Sequence, residues 1–266
     1  MRFLDYIEQL EAKGKCTFTL NDAQKALNKS RSAIILSIEH LRQQGKIASP
    51  ARGFYVIVFP KYRVYSCLPP EYFIPYLMEF WQEPYYVCLV TAASYHGAAH
   101  QQPQTFQVMV NRYKKSIVCG KVKIDFIVNK NMEKYPTQYI TTQYSRLTIA
   151  APETTAMDLM NYPQQSGGLN RIVTILDELR ESLREKELST LIEMDLHHHW
   201  KQRLGYLLEK IDAQNLADVV FDHLQKLKRL NYIPLEPTLH ENVVAQQYRK
   251  NKKWKIIENA DFEGDL

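Results

Sequence analysis

The sequence predicts an α+β protein in two parts: a short front part of three helices and a hairpin, and a longer rear part of mixed strands and helices. Apolar residues recur at helical spacing up to residue 44 and then give way to two short β-type runs. Behind them, alternating β-branched runs precede a helical pattern that continues to residue 227. The 266 residues, 45% hydrophobic and 24% charged, have the composition of a folded protein and the length of two domains.

Spacing and capping predict the first two helices. Phe3, Ile7 and Leu10 stand at positions i, i+4 and i+7, which predicts a helix over residues 2–13. The segment CTFTL favours a short strand. Asn21 is then the expected N-cap of a second short helix. The buried face of that helix is expected to consist of Leu20, Ala23 and Leu27.

The third helix has its own start and stop signals. Ser30 or Ser32 can cap it, and it is expected to run to Gln44, where Gly45 ends it. Its inner stripe is expected to comprise Ile34, Ile38 and Leu41.

A hairpin completes the front part. Strands are expected around residues 46–48 and 54–59, joined by a turn that contains Pro50 and Gly53. Helix, short strand, helix, turn, helix and hairpin is the element order of a winged helix-turn-helix. The sequence therefore predicts a winged helix-turn-helix domain over residues 1–66.

Residues 67–266 form the second predicted domain, which we expect to be mixed α+β. The paired prolines Pro69–Pro70 mark the junction, and a helix follows with Pro75 near its first turn. The apolar strand patterns behind it include a hairpin turn at Cys119–Gly120. A helix is expected to begin at Pro152, and the segment KKWKIIEN is expected to be a closing strand. Further helices are expected at residues 169–183, 187–211, with a break, and 216–227.

Positive charge is concentrated at the front of the chain. The first 65 residues hold eleven lysines and arginines against five acidic residues, whereas the remaining 201 residues are close to neutral. A basic domain joined to a near-neutral one favours contact with a polyanion.

The candidate DNA-binding residues lie at the start of the third helix and in the wing. In a winged helix the third helix projects its N-terminal turn into the major groove. Lys29, Ser30, Arg31 and Ser32 occupy that turn, and Ile35 lies further along the same outward face. Arg52 is placed at the wing tip, within reach of a phosphate or the minor groove. The alternatives are a protein-interaction module and solvated charges at a helix end.

No catalytic motif is found, and we expect neither an enzyme nor a metal or other cofactor. The run His197–Trp200 is the most prominent metal-type signal, but consecutive helical residues point about 100° apart, which favours a solvated or partly packed run. Glu153 and Asp158 are explained as carboxylates at a helix start. Lys123 and Asp125 alternate on one strand, as in nucleotidyltransferases, but no second carboxylate pair accompanies them.

Cysteine usage and hydropathy indicate a cytoplasmic protein. The four cysteines are widely spaced and are expected to be small buried residues in a reducing compartment. No run of about 18 uncharged apolar residues is found, so no membrane span is expected. Charges interrupt the first 15 residues, which excludes the apolar core of a signal peptide.

Several motifs in order resemble the AbiEi-type antitoxins of bacterial type IV toxin–antitoxin (abortive infection) systems. The resemblance covers nearly the whole chain and begins with the basic winged helix. The other segments that carry it are Thr91-Ala92-Ala93 with His96-Gly97, Ala151 to Thr155 leading to Asp158, Gly167-Gly168, Arg203 to Ile211 and Trp254 to Asn259.

This resemblance implies a function for each domain. The N-terminal domain is expected to bind double-stranded DNA at inverted repeats in its own promoter and so repress the operon. Its contacts would fall on Lys29 to Ser32 and on Arg52. The C-terminal domain is expected to counteract a nucleotidyltransferase-like toxin without a stable complex. The family offers no accepted catalytic residues to transfer.

A second interpretation is a ligand-sensing transcriptional regulator of the winged-helix class. In that case the rear domain would bind a small molecule in a pocket lined by Tyr85, Tyr86 and His96.

Overall fold

A computed structural model describes residues 1–99, 103–237 and 248–262, and the chain divides into two compact units. The first unit comprises Met1–Val87, Gln104–Lys134 and Gln138–Ile149. The second comprises Cys88–Pro103, Tyr135–Thr137 and Ala150–Leu266. The α+β class is confirmed. The predicted boundary between residues 66 and 67 falls inside the first unit, and the division of functions at that boundary stays a prediction.

The front of the first unit has the predicted order of elements. Its helices are α1 (Phe3–Ala12), α2 (Leu20–Leu27) and α3 (Arg31–Gln43). Its strands β1 (Thr17–Thr19), β2 (Ile47–Ala51) and β3 (Phe54–Ile57) form an antiparallel sheet in the order β1-β3-β2. Helices and sheet enclose one core, to which Ile34, Ile38 and Leu41 of α3 contribute as expected.

Two local expectations for this part are wrong. Thr19, and not Asn21, caps α2: its hydroxyl accepts the Asp22 N–H at 3.2 Å, while the Asp22 carboxylate accepts the Thr19 N–H at 2.9 Å. This reciprocal pair satisfies two backbone donors at once, which a cap at Asn21 would not do. Pro50 lies within β2, where the pairing with β3 shifts register between Ala48 and Ala51, and not in the turn.

Strand β3 is buried on both faces. Successive side chains of a strand point to opposite faces. Tyr55 and Ile57 face the helical core of the front, and the Tyr55 ring stacks on Phe18 with a centroid distance of 5.3 Å. Phe54, on the other face, is 2% exposed and packs against Phe80 at 5.6 Å. The wing hairpin is therefore held between two layers.

The first unit also contains a six-stranded sheet in the order β6-β7-β5-β4-β9-β8. Its strands are β4 (Tyr85–Val87), β5 (Phe106–Val110), β6 (Ile117–Cys119), β7 (Val122–Val128), β8 (Thr137–Thr141) and β9 (Arg146–Ala150). The hairpin turn predicted at Cys119–Gly120 is confirmed between β6 and β7. Edge strand β6 packs against β2 of the wing.

Helix α4 (Pro70–Trp81) carries Pro75 in its interior and not in its first turn. Proline lacks the N–H that would bond to the carbonyl four residues earlier, so the Glu71 carbonyl has no partner within the helix. The Ser145 hydroxyl fills that role and donates to the Glu71 oxygen at 2.7 Å. A side chain distant in sequence thus makes the internal proline tolerable.

The second unit is mainly helical. Its helices are α5 (Leu89–Tyr95), α6 (Pro152–Asn161), α7 (Leu169–Leu179), α8 (Glu185–Met194), α9 (His199–Lys210) and α10 (Gln214–Gln225). A small sheet in the order β10-β12-β11 joins β10 (Ile233–Pro234), β11 (Lys250–Asn251) and β12 (Ile256–Ile257). The expected break between α8 and α9 is confirmed. Among the described residues no helix is long and apolar enough to cross a membrane.

The single closing strand predicted over KKWKIIEN is wrong. Residues 252–255 of the segment form a turn, in which Lys255 adopts a left-handed φ of 53°, and only Ile256–Ile257 form a strand. Strand β11 precedes the segment. The turn places Trp254 in the core at 0% exposure, directly against Gly205 of α9. A Cβ on Gly205 would lie 2.5 Å from Trp254 Cη2, and two other ring atoms would also be too close. Glycine is required here by packing, and not by backbone conformation.

We predict that Gly205→Ala destabilises the protein by about 2 kcal/mol, although alanine is the better helix former by about 1 kcal/mol. The added methyl group forces the Trp254 ring or the helix to move. The free energy of unfolding measured by denaturant titration checks this result.

The matched control repeats Gly205→Ala in a Trp254→Phe background, where the smaller ring leaves room for the methyl group. In that background Gly205→Ala should lower the free energy of unfolding by much less than in the parent protein. The double-mutant cycle would then show a favourable coupling between the two substitutions. An equal cost in both backgrounds would rule out the ring contact as the cause.

Candidate nucleic-acid interface

A tight turn sets the direction of α3 relative to α2. Asn28 ends α2 in the left-handed conformation, with φ 51° and ψ 45°. Asparagine is one of the few residues other than glycine that adopts this conformation readily. Ser30 then returns to extended backbone, with φ −62° and ψ 151°, and α3 begins at the next residue. The three residues between the helices leave Lys29 exposed at the turn.

Ser30, of the two serines proposed, is the residue that caps α3. Its hydroxyl accepts the N–H of Ala33 at 3.3 Å. The Ser32 hydroxyl lies 3.1 Å from that of Ser30, at the solvent-facing end of the helix. The cap therefore fixes the geometry of the helix start, and Ser32 adds a second exposed hydroxyl beside it.

The outward face of α3 is exposed as the sequence analysis expects. Lys29, Ser30, Arg31 and Ser32 are all exposed, and Ile35 is 44% exposed. Leu36, which the sequence-based prediction does not include, is 72% exposed. Its helical position next to Ile35 was the available signal, because both lie off the buried Ile34 stripe.

Electrostatics at the helix start favour an anion. The first turn of α3 contains no acidic residue. In the described part of the chain neither Lys29 nor Arg31 forms an ion pair. Further along the helix the Glu39 carboxylate is 2.8 Å from the Arg42 guanidinium, so its charge is balanced locally. The positive end of the helix dipole and two exposed cations therefore coincide.

Arg52 lies in the turn between β2 and β3, next to Gly53, and its side chain is exposed. Gly53 has a φ of 81°, a left-handed conformation that favours glycine in this tight turn. The structure thus places Arg52 on a hairpin that is packed on both faces, in the same unit as α3.

A second basic surface borders the wing. The exposed cations of the loop before β6 and of the β6–β7 hairpin are Arg112, Lys115, Lys121 and Lys123. Between this loop and the wing residues Pro50 and Ala51 runs an open groove of about 560 Å³. Lys114, on the groove wall, is 2.8 Å from Glu83 and lies over the Trp81 ring. No sequence pattern connects this surface with the wing, since β6 and β2 belong to different sheets and meet only through packing.

The charge of the two units differs in sign. The first unit holds 19 lysines and arginines against 10 aspartates and glutamates, and the second holds 15 against 19. The basic character noted for residues 1–65 therefore extends over the whole first unit. A polyanion could therefore contact basic residues over the larger part of the first unit.

Comparison with known families finds a match within the rear part. Residues 85–210 match the family model described as "AbiEi antitoxin C-terminal domain". The chain carries an AbiEi antitoxin domain. The resemblance drawn from the sequence motifs is confirmed, and the domain is that of an antitoxin from a toxin–antitoxin system.

Comparison with other proteins supports the fold. A crystal structure of the RV2827C protein from Mycobacterium tuberculosis matches with a TM-score of 0.67 and 14% identity. The match covers 95% of this chain and 89% of that chain. At this identity the likeness concerns the fold alone. No curated protein matches the chain.

The AbiEi domain contains a buried polar network at the junction of α8 and α9. The Asp195 carboxylate accepts hydrogen bonds from the Tyr135 hydroxyl at 3.0 Å and from the Trp200 indole N–H at 3.2 Å. Lys201, which is 0% exposed, donates to the Asp195 carbonyl oxygen at 2.5 Å and lies 3.3 Å from the Nε2 atom of His223. Burial raises the pKa of the Tyr135 hydroxyl, and the Asp195 charge raises it further. These groups satisfy one another, so the network is structural.

The histidine run of the AbiEi domain begins before α9, which starts at His199, so His197 and His198 lie outside the helix. His197 and His199 are exposed, and His198 is half-buried. Burial and the neighbouring Lys201 charge lower the pKa of His198. Over the described residues no group of three or more His, Cys, Asp and Glu side chains is arranged to hold a metal ion.

The carboxylates considered in the sequence analysis fall into two classes. Glu153 is in the first turn of α6, and its carboxylate accepts the Arg184 N–H at 2.9 Å, which holds the start of α8. Asp158 lies deeper in α6 and is 0% exposed, so it is a core residue and not a helix-start charge. Lys123 and Asp125 are exposed on β7.

The residues proposed to line a ligand pocket have structural contacts. Tyr86 is 0% exposed, and the Tyr85 hydroxyl accepts the Thr148 N–H at 3.4 Å. The His96 ring Nε2 atom is 2.8 Å from the Ala150 carbonyl oxygen, to which it donates. Burial lowers the pKa of His96, and the hydrogen bond to Ala150 acts in the opposite direction. No specific observation favours a ligand site at these residues.

We predict that Ser30→Ala weakens the start of α3 by about 1 kcal/mol, because Ala33 N–H loses its acceptor. Amide hydrogen exchange in the first turn of α3 should accelerate by a factor on the order of five.

Ser32→Ala is the matched control, since it removes a hydroxyl from the same turn without removing the cap. It should change stability by less than about 0.5 kcal/mol. Equal effects of the two substitutions would contradict the assignment of Ser30 as the cap.

Proposed function

We propose that this protein is a type IV antitoxin with two separable activities. Through the winged helix of residues 1–66 it binds double-stranded DNA at inverted repeats in its own promoter and represses its operon. Through residues 67–266 it counteracts a nucleotidyltransferase-like toxin in the cytoplasm without forming a stable complex. It acts as a regulator and not as an enzyme. The observation that carries the proposal is the exposed, cationic start of α3 in a chain with an AbiEi antitoxin domain.

The geometry of α3 supports a duplex as the polyanion. A helix that enters the major groove needs an exposed N-terminal turn and a buried opposite face. Arg31 and Ser32 offer a cation and a hydroxyl at that turn, while Ile34 is 0% exposed on the other side. Ile35 and Leu36 offer apolar contact of the kind that the methyl group of thymine accepts. Different residues of α3 would thus contact the phosphates and the bases.

The wing supports the same assignment. Arg52 is exposed at the tip of a hairpin whose strand β3 is buried on both faces. A rigid hairpin positions a phosphate contact more precisely than a mobile loop, because less side-chain and backbone freedom is lost on binding. The groove beside the wing, with Lys115 at its rim, offers further phosphate contacts along the duplex.

We predict that Lys29→Ala and Arg31→Ala each weaken binding to a DNA fragment of the protein's own promoter. A variant that makes one phosphate contact fewer releases fewer counterions when it binds DNA. The slope of log K against log salt therefore becomes shallower by about 0.9 per lost contact. Fluorescence anisotropy titrations at four or more salt concentrations measure the slope.

Lys186→Ala is the control, because Lys186 is an exposed lysine of the second unit and its loss changes the net charge by the same amount. It should leave the affinity and the slope unchanged. If the Lys29→Ala and Arg31→Ala variants both keep the wild-type slope, α3 does not form part of the interface.

We further predict that full-length protein with both Lys29→Ala and Arg31→Ala loses repression but still neutralises the toxin. The two substitutions lie outside residues 85–210 and leave the core of the front domain intact. A reporter gene under the protein's own promoter should be derepressed to the level seen without the antitoxin. Growth of cells that express the cognate toxin should be restored as by the wild type.

Loss of rescue in this variant, with normal protein levels, would show that neutralisation needs the DNA-binding surface. An affinity pull-down of the toxin with the wild-type protein tests the remaining point. A stoichiometric complex that survives washing would contradict neutralisation without stable binding.

A further inference from the structure

A cavity of about 220 Å³ opens beside the histidine run of the second unit. One wall is the turn that leads into α9, and the other wall is the segment before β10. The proposed antitoxin function gives this cavity no role. Its polar lining residues are His197, His198, His199, Gln202, Arg229 and Asn231.

Hydrogen bonds fix both walls of the cavity. Gln202, which is 1% exposed, donates from its amide nitrogen to the Asn231 carbonyl oxygen at 2.9 Å and so ties α9 to the opposite wall. The same nitrogen donates to the Trp254 carbonyl oxygen at 3.1 Å. The His197 N–H donates to the Asp195 carboxylate at 3.0 Å, which holds the turn before α9. The cavity is therefore preformed, as small-molecule sites usually are.

The lining favours an anion over a metal ion. None of the described lining residues is acidic, although the second unit as a whole holds 19 acidic against 15 basic residues. Arg229 is exposed and has no ion-pair partner among the described residues. An imidazole supplies at least one N–H donor in either protonation state, and a guanidinium supplies five. In the same part of the chain these imidazoles belong to no group that could hold a metal ion.

The start of α9 adds positive potential to the cavity. The N-cap residue, His198, makes no capping hydrogen bond through its side chain, and the first turn contains no acidic residue. Free N–H groups at a helix N-terminus carry about half a positive charge and are suited to phosphate. The Asp195 carboxylate is 2% exposed and is satisfied by hydrogen bonds from Tyr135 and Trp200, so it does not take the place of the anion.

His198 gives a separate indication of a ligand. Its Nδ1 atom is buried and has no hydrogen-bond partner in the described residues, although the ring lines the cavity. A buried polar atom without a partner lowers stability, so its presence calls for a reason other than folding. Burial and the Lys201 charge lower the pKa of His198, and an anion in the cavity would oppose that shift.

We propose that this cavity binds the phosphate monoester group of a small molecule. The phosphate oxygens accept hydrogen bonds from the Arg229 guanidinium and from the imidazoles at the start of α9. The volume of the cavity exceeds what one phosphate group fills, which leaves room for part of an attached sugar. Leu196, which lines the cavity and is 83% exposed, offers an apolar contact to the rest of the ligand. The site lies in a different unit from α3 and does not depend on the proposed DNA binding.

The test uses the full-length protein with adenosine monophosphate, inorganic phosphate and adenosine as probes. Calorimetric titration should show that adenosine monophosphate binds and that inorganic phosphate competes with it, whereas adenosine should not bind. If neither phosphate probe binds at millimolar concentration, or if adenosine binds as well as its monophosphate, the proposal is wrong.

Variants locate the phosphate contacts. Arg229→Gln and His199→Gln should each weaken the binding of adenosine monophosphate by roughly tenfold or more, because each removes a donor to a charged group. Arg184→Gln is the matched control, since it removes an exposed arginine of the same unit that does not line the cavity. It should bind the probe as the wild type does. Wild-type affinity in both Arg229→Gln and His199→Gln would overturn the assignment.

Chemical modification of the wild-type protein decides the location even where a variant fails to fold. Diethyl pyrocarbonate modifies accessible imidazoles, and His197 and His199 are exposed. Saturating adenosine monophosphate should slow their modification, as measured by peptide mass spectrometry. His40 of α3 is also exposed and should react at the same rate with and without the probe. Unchanged modification of the histidine run would contradict the proposed site.

Discussion

The wing hairpin is the constraint on which the first unit depends, because strand β3 closes two packing layers at once. Ile57 and Tyr55 complete the core that holds the inner face of α3, while Phe54 packs on Phe80 of α4. Interiors pack at the density of organic crystals, so a strand fixed on both faces has little freedom to shift. The exposed start of α3 and the tip at Arg52 are therefore presented from one rigid support.

The distribution of charge follows the compact units and not the predicted domain boundary. The basic residues of the β6–β7 hairpin belong to the same unit as the winged helix, whereas the second unit carries an excess of acidic residues. A surface of one sign attracts a polyanion over a range set by the Debye length, about 8 Å at physiological salt. The AbiEi domain thus contributes part of its sheet to the basic unit and its helices to the acidic one.

The helical unit is ordered by polar contacts as well as by apolar packing. Asp195 joins Tyr135 and Trp200, and Lys201 is buried with its ammonium group on a backbone carbonyl. Gln202 donates to the carbonyl oxygens of Asn231 and Trp254, which ties the small terminal sheet to α9. A buried polar group without a partner is costly, so such a network selects one arrangement of the helices.

The sequence by itself determined the local elements of the front domain, the charge at the start of α3 and the AbiEi motifs, because helical spacing, capping and composition are properties of neighbouring residues. Predictions from the sequence were wrong or absent mainly where contacts between distant segments determine the structure. One error was local, because Thr19 and not Asn21 caps α2 through a reciprocal bond with Asp22, three residues away. In KKWKIIEN, residues 252–255 form a turn that packs Trp254 on the distant Gly205. Only the tertiary structure placed β6 beside the wing, since packing between two different sheets depends on contacts that no single stretch of sequence contains.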